Sequence, residues 1–166
     1  MAKRLILIRH AKSDWGNPDL RDFDRPLNKR GNASAPDMAQ RLVSASISPD
    51  LMVSSPALRA ISTAKYFAKA WGIQEKDIQT DQNIYEAGFK TLLSVVNEFD
   101  DNYPTIAMFG HNPGFTDFAN YLSGVNIVNM PTCSVVMIEF STDSWNMLSK
   151  ETGKVILFDY PKNGED

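Results

Sequence analysis

The chain has only two histidines, His10 and His111, and each closely follows a run of apolar residues. His10 comes after Leu5-Ile6-Leu7-Ile8 and Arg9; His111 comes after residues 105–109 and Gly110. A third run, Leu51-Met52-Val53, leads into Ser54, Ser55 and, about one helical turn further on, Arg59. A neutral imidazole is a nucleophile at neutral pH, because its ordinary pKa is about 6.5. A guanidinium offers a planar fork that pairs bidentately with phosphate oxygens. A second histidine can donate to charge that develops in a transition state. Two histidines and two arginines held together would suit phosphoryl transfer through a phosphohistidine intermediate. Arg9 supports this, since a charge bordering a buried strand is costly without an anionic partner.

These residues can meet only if the three runs are neighbouring strands. The pattern predicts that they are. A strand is expected over residues 3–9, continuously apolar as in a sheet covered on both faces. A polar loop over residues 11–31 should follow, then a helix over 33–43 and a second strand over 51–54. A helix over 56–71 is expected, with proline in its first turn and Gly72 at its end. A helix over 91–99, a strand over 105–109 and a helix over 115–123 closed by Gly124 complete the middle of the chain. Two runs, 134–140 and 154–160, read as antiparallel partners because only a short connection separates them. Alternating strands and helices predict a single α/β domain over residues 1–166, three layers with a mostly parallel central sheet. In such sheets ligands bind beyond the carboxyl ends of the strands, where helix starts add N–H groups.

Composition removes other classes. Of 166 residues, 43% are hydrophobic and 22% charged, ordinary for a globular domain with a real core. The four-residue apolar run near the start is too short for a signal peptide, and no stretch approaches a membrane span. A soluble, cytoplasmic protein is expected. Net charge is −3 but uneven: residues 1–41 hold nine Lys/Arg against five Asp, and the rest hold eight against fifteen Asp/Glu. That asymmetry is either surface scatter or a basic mouth for an anionic substrate. No basic-aromatic run argues for nucleic acid. Six residues after Cys133, where a cysteine phosphatase needs arginine, stands Glu139. Asp22-Phe23-Asp24 lies in a polar stretch rather than after an apolar strand, so it reads as solvated loop charge. No nucleotide-binding Gly-Lys-Ser/Thr loop is present, and with both histidines engaged neither a metal site nor a cofactor is expected.

The ordered motifs resemble the histidine phosphatase superfamily, with its phosphoglycerate mutase-like fold. The family's Arg-His-Gly appears as Arg9-His10-Ala11, and the continuation Lys12-Ser13 with Trp15 is similar to the small SixA-like group of phosphohistidine phosphatases. The likeness continues in Arg25-Pro26-Leu27-Asn28 with Gly31, in Ser54-Ser55-Pro56 with Arg59-Ala60 and Thr63-Ala64, and in Gly110-His111-Asn112-Pro113-Gly114. Leu122, Pro131-Thr132 and Trp145 also fit, so the motifs span residues 4–145.

The resemblance implies that His10 is the nucleophile and that Arg9, Arg59 and His111 hold the phosphoryl group, with Lys12 and Ser13 also binding substrate. It implies Glu86, in Ile84-Tyr85-Glu86-Ala87, as proton donor, with Asp14 as rival. It implies no metal, a role in signal transduction, and phosphohistidine in proteins as substrate. Small phosphomonoesters such as sugar phosphates, or a phosphoprotein-binding module without turnover, are the alternatives. Two departures stand out. Alanine replaces the usual glycine at position 11, so the loop there must avoid positive φ. No large cap insertion is present, so an open groove is expected.

Overall fold

The fold is built on β1 (Lys3–Arg9). Its apolar residues Leu5, Ile6, Leu7 and Ile8 are all fully buried. They alternate, Leu5 and Leu7 joining one core cluster and Ile6 and Ile8 the other. Successive strand side chains point to opposite faces, so a strand covered on both sides is apolar throughout. In the computed structural model, which describes residues 2–161, β1 lies between two partners. The others are β2 (Leu51–Ser54), β3 (Gln79–Thr80), β4 (Thr105–Gly110), β5 (Val135–Phe140) and β6 (Gly153–Asp159). The sheet order is β3-β2-β4-β1-β5-β6. The four strands from β3 to β1 are parallel, while β5 and β6 are antiparallel to their neighbours. The expected, mostly parallel α/β sheet and its antiparallel C-terminal pair are thus observed.

Helices cover both faces. α1 (Lys29–Ser44) and α2 (Leu58–Trp71) pack Met38, Leu42, Ala64 and Phe67 against Ile6 and Ile8. α3 (Phe89–Asn97) and α4 (Gly114–Ser123) pack Leu92, Val96, Phe115 and Phe118 against Leu5 and Leu7. Trp145 is fully buried in that second layer, and its Nε1 donates to the Tyr103 carbonyl at 2.9 Å. A buried indole therefore leaves no unpaired donor.

Several boundaries differ from expectation by a few residues. α1 begins at Lys29 rather than 33, because the Asn28 side chain accepts from the Gly31 amide at 2.8 Å and caps the helix. Pro36 lies inside it, forfeiting one backbone bond without ending it. α2 and α3 begin at Leu58 and Phe89, a residue pair after and before their expected starts. The segment 11–31 is not plain loop. Ser13 bridges Leu27 in antiparallel fashion, and Asp22–Asp24 form a 3-10 turn. Gly31 sits so close to the Lys12 carbonyl that a Cβ there would run into it. The start of α1 is thereby pressed against the loop that follows β1.

The register decides what the strand ends share. Arg9 pairs with Gly110, and Ser54 with Phe109. The next residues, His10, His111 and Ser55, must therefore emerge at one edge of the sheet.

Candidate active site

The backbone ladder continues past the strands. The His10 amide donates to the Gly110 carbonyl at 3.0 Å, and the Ser55 amide to the Phe109 carbonyl at 2.9 Å. His10 is 7% exposed and His111 8%, with ring centroids 5.2 Å apart. His10 Nδ1 lies 2.8 Å from the Ala11 carbonyl oxygen. A carbonyl only accepts, so Nδ1 carries the proton and Nε2 keeps the lone pair. Ala11 does not adopt positive φ, which is why alanine is tolerated here. Its amide donates to Thr63 Oγ1 at 2.9 Å, and that hydroxyl donates to the Arg59 carbonyl at 2.8 Å. Thr63 thus ties the nucleophile's loop to the helix that carries Arg59. His111 Nε2 lies 2.7 Å from Ser55 Oγ, which accepts from the Ala57 amide at 3.2 Å. His111 Nδ1 is buried and has no hydrogen-bond partner among the described residues.

Around the two histidines is a cavity of about 240 Å3. Arg9, Lys12, Arg25 and Arg59 line it, together with Ser13, Trp15, Asn112 and Thr132, and no described carboxylate does. Three of those four cations come from the first 41 residues, so the uneven charge does form a basic mouth. Arg9 Nη1 donates to the Met130 carbonyl at 2.8 Å, which also accepts from Asn112 Nδ2 at 2.9 Å. Arg59 is 6% exposed. Its Nη1 donates to the Asp22 carbonyl at 2.7 Å and its Nη2 to Asp22 Oδ2 at 3.0 Å. Its Nε is buried with no hydrogen-bond partner among the described residues.

Asp22 is exposed, as the sequence reading has it, but it is not an idle charge. One carboxylate joins Arg59, Arg25 at 3.2 Å and the Tyr85 hydroxyl at 2.7 Å. Burial pushes its carboxyl up, but hydrogen bonds from Tyr85 and Arg59 outweigh this and bring it to about 2. Burial and the adjoining Asp22 push the Tyr85 hydroxyl up to about 12. Only the Asp22-to-Arg25 spacing hinted at this in the sequence; Arg59 and Tyr85 lie 37 and 63 residues away. Asp24 is half-buried and pairs with Arg21 at 2.9 Å.

The remaining candidates are placed as follows. Lys12 lines the cavity half-buried. Ser13 lines it too, but its Oγ accepts from Arg25 Nη1 at 2.6 Å and so also orients that arginine. Glu86 is exposed, with φ 57°, next to Tyr85 and outside the residues lining the cavity. Asp14 is likewise exposed and outside the lining, its Oδ1 accepting from the Gly16 amide at 2.7 Å. Among the described residues no cluster of three or more His, Cys, Asp or Glu is placed to hold a metal ion. None of the described helices is long and apolar enough to cross a membrane.

Both imidazoles are held neutral. Burial, and then the Arg59 charge, lower the His111 pKa to about 3. Burial lowers His10 well below its ordinary value against the opposing Ala11 hydrogen bond, with His111, Arg59 and Arg9 adding to the lowering. The unfolded chain takes up these protons below about pH 6.5, whereas the folded chain does not until far lower. Folding stability is therefore full above that pH and falls as pH drops toward the folded values, by up to about 1.4 kcal/mol per pH unit for each histidine. Urea unfolding between pH 7 and 5 is expected to show this slope, reduced in His111→Gln. A flat profile would mean that the histidines are charged in the folded protein.

The family model for the histidine phosphatase superfamily (branch 1) matches residues 5–112. The chain belongs to that superfamily. An uncharacterized chloroplastic protein of Arabidopsis thaliana is 34% identical over 153 residues, covering 87% of this chain and 70% of the relative. A 2,3-bisphosphoglycerate-dependent phosphoglycerate mutase of Clavibacter michiganensis is 28% identical over 110 residues. That match covers 65% of this chain and 42% of the mutase, so this histidine phosphatase spans less than half of the mutase's length. Among solved structures, a proposed phosphohistidine phosphatase SixA from Agrobacterium tumefaciens superposes with a TM-score of 0.81 at 28% identity, covering 96% of this chain and 99% of that one. The protein histidine phosphatase SixA complexed with tungstate shares the fold, with a TM-score of 0.74 at 16% identity over 93% of this chain and 95% of that one. Within the superfamily, the chain falls in the SixA-like group.

Proposed function

We propose that the protein is a phosphatase whose His10 Nε2 takes the phosphoryl group and passes it to water. One observation carries the reading: His10 Nδ1 donates to Ala11, leaving Nε2 as a lone-pair nucleophile in a small cavity lined by four cations. Nε2 attacks phosphorus and the bond to the leaving group breaks. Arg9 and Arg59 hold the equatorial oxygens, as charge-assisted forks do. The Ser55 hydroxyl donates to His111 Nε2, which places the proton of His111 on Nδ1. That buried N–H then gains its missing acceptor in the phosphoryl oxygen. Water attacks the phosphohistidine in the second step, and His10 is restored. Lys12 and Arg25 add positive potential at the mouth.

Glu86 is assigned the proton donated to the leaving group and, in the second step, taken from water. The general-acid contribution matters most for a poor leaving group. Glu86→Gln is therefore expected to slow phosphoenzyme formation from alkyl phosphates by about 10²-fold in single turnover, while formation from phosphohistidine, whose imidazole leaves readily, slows by less than about threefold. Equal losses on both would remove Glu86 from the mechanism.

The preferred substrate is phosphohistidine in a protein, at work in the cytoplasm. The kinship with the SixA-like group supports this over a sugar phosphate or a binding module without turnover. The test is a substrate panel in EDTA: phosphohistidine peptide, phosphoglycerate and a sugar phosphate. The peptide should be hydrolysed with the highest kcat/KM and without a metal requirement. Preference for phosphoglycerate would move the assignment to a small phosphoester, and phosphate binding without hydrolysis to a binding module.

A further inference from the structure

Trp15 is the exposed aromatic at the cavity. It lines the same cavity as His10 and Arg59, yet it is 76% exposed. Exposure of a single ring is ordinary on a surface; what sets Trp15 apart is that it lines the cavity of His10 and Arg59 while most of the ring stays open. Its placement is fixed rather than loose. The Arg25 guanidinium lies 3.5 Å from the ring centroid and covers one face. Arg25 is itself only 7% exposed and is held by Ser13 Oγ at 2.6 Å, the Asp14 carbonyl at 3.3 Å and Asp22 Oδ1 at 3.2 Å. The strip of chain under the indole is pinned as well. The Asp14 amide donates to the Pro26 carbonyl at 2.8 Å, and the Gly16 amide to Asp14 Oδ1 at 2.7 Å.

A ring clamped by a buried cation on one face, and open elsewhere, is a preordered surface for stacking. Little conformational freedom is lost when a second flat group settles on it. A guanidinium behind the ring also holds the ring's own position by cation–π attraction. The position at the mouth selects which part of a substrate can reach it. The phosphoryl group goes inward to His10 and the arginines, so the leaving group stays at the rim beside Trp15. A ring bonded directly to the phosphoryl group brings a flat face to the rim, whereas an alkyl chain does not.

We propose that Trp15, backed by Arg25, is the leaving-group platform of this site and favours phosphoryl groups carried on planar rings, such as an imidazole or an aryl ring, over those on alkyl chains. The proposal rests on reading the cavity as the phosphoryl site. An indole that merely shields the Arg25 side chain would show no such discrimination.

The experiment compares phenyl phosphate with ethyl phosphate. Binding is measured by calorimetry to His10→Ala, in which no turnover intrudes, with and without Trp15→Ala. Phenyl phosphate is expected to bind about five- to twentyfold more tightly than ethyl phosphate when Trp15 is present. The ratio should collapse to within about twofold in Trp15→Ala and return substantially in Trp15→Phe. The side chain is mostly exposed, so the fold should tolerate either change. A ratio that Trp15→Ala leaves intact, equal weakening of both ligands, or no preference at the outset would each overturn the platform. Turnover of the two esters and of a phosphohistidine peptide by the otherwise wild-type chain is read separately. Absence of hydrolysis there would overturn the phosphatase reading, and the binding ratio would still decide the platform.

Discussion

His10→Ala is expected to reduce turnover of every phosphorylated substrate by at least about 10⁴-fold, because it removes the atom that forms the new bond to phosphorus. The effect should fall on kcat rather than on affinity. Arg9, Arg59 and His111 remain to bind phosphate, and the alanine methyl leaves room for it. The same experiment has a second readout. Wild-type enzyme quenched during turnover of a ³²P-labelled substrate should carry label that is lost in acid and survives alkali, as a phosphorus–nitrogen bond does. His10→Ala should carry none. Label stable in acid, or full activity in the variant, would place the nucleophile elsewhere. His10→Gln is a useful companion, since its side chain fills part of the imidazole's volume without offering a lone-pair nitrogen.

Arg59→Ala should be the next most damaging change, lowering kcat/KM by about 10² to 10³-fold, the usual cost of losing a charged donor aimed at a developing oxyanion. Arg59→Lys should recover little, because a single ammonium cannot reproduce the fork. The arrangement around Asp22 makes a further, sharper statement. Arg59 sits 3.0 Å from the Asp22 carboxylate, so deleting it leaves that carboxylate near the phosphate path with less of its charge balanced. In the Arg59→Ala background, Asp22→Ala should therefore improve phosphate affinity. In the wild-type background the same change should weaken it by freeing Arg59 to wander. Opposite signs in the two backgrounds are the mark of coupled residues, and a double-mutant cycle measures the coupling. Simple additivity would mean that Asp22 does not hold Arg59 for its task. A loss of less than about tenfold in Arg59→Ala would remove that arginine from transition-state binding.

The parts of the site legible in the sequence are those that follow from strand order. Apolar runs ending in His10, Ser55 and His111 predict three parallel strands, and parallel strands place their ends together. The observed pairings of Arg9 with Gly110 and Ser54 with Phe109 follow that logic. What the sequence could not convey is side-chain partnership across space. Asp22 looked like one acidic residue among several in a polar stretch, because its partners are remote in the chain. The start of α1 was misplaced for a local reason. Asn28 caps the helix while Pro36, which usually signals a helix end or beginning, sits inside it. Trp15 was visible as part of a motif, but its exposure and its contact with Arg25 depend on how segment 11–28 folds back through the Ser13–Leu27 bridge.

That fold-back divides the site into two kinds of material. Arg9 ends, and His10 directly follows, a strand hydrogen-bonded on both sides in the middle of the sheet, with fully buried neighbours. Residues 14–22, by contrast, form an exposed stretch that touches the cavity only through its rim. Changes to the first kind cost the core its packing, whereas changes to most of the second kind cost the core nothing. Natural variation can therefore rewrite which leaving group is welcomed while the chemistry beneath stays fixed. A lineage could acquire a new substrate through a handful of rim substitutions without first gaining stability to spend on them.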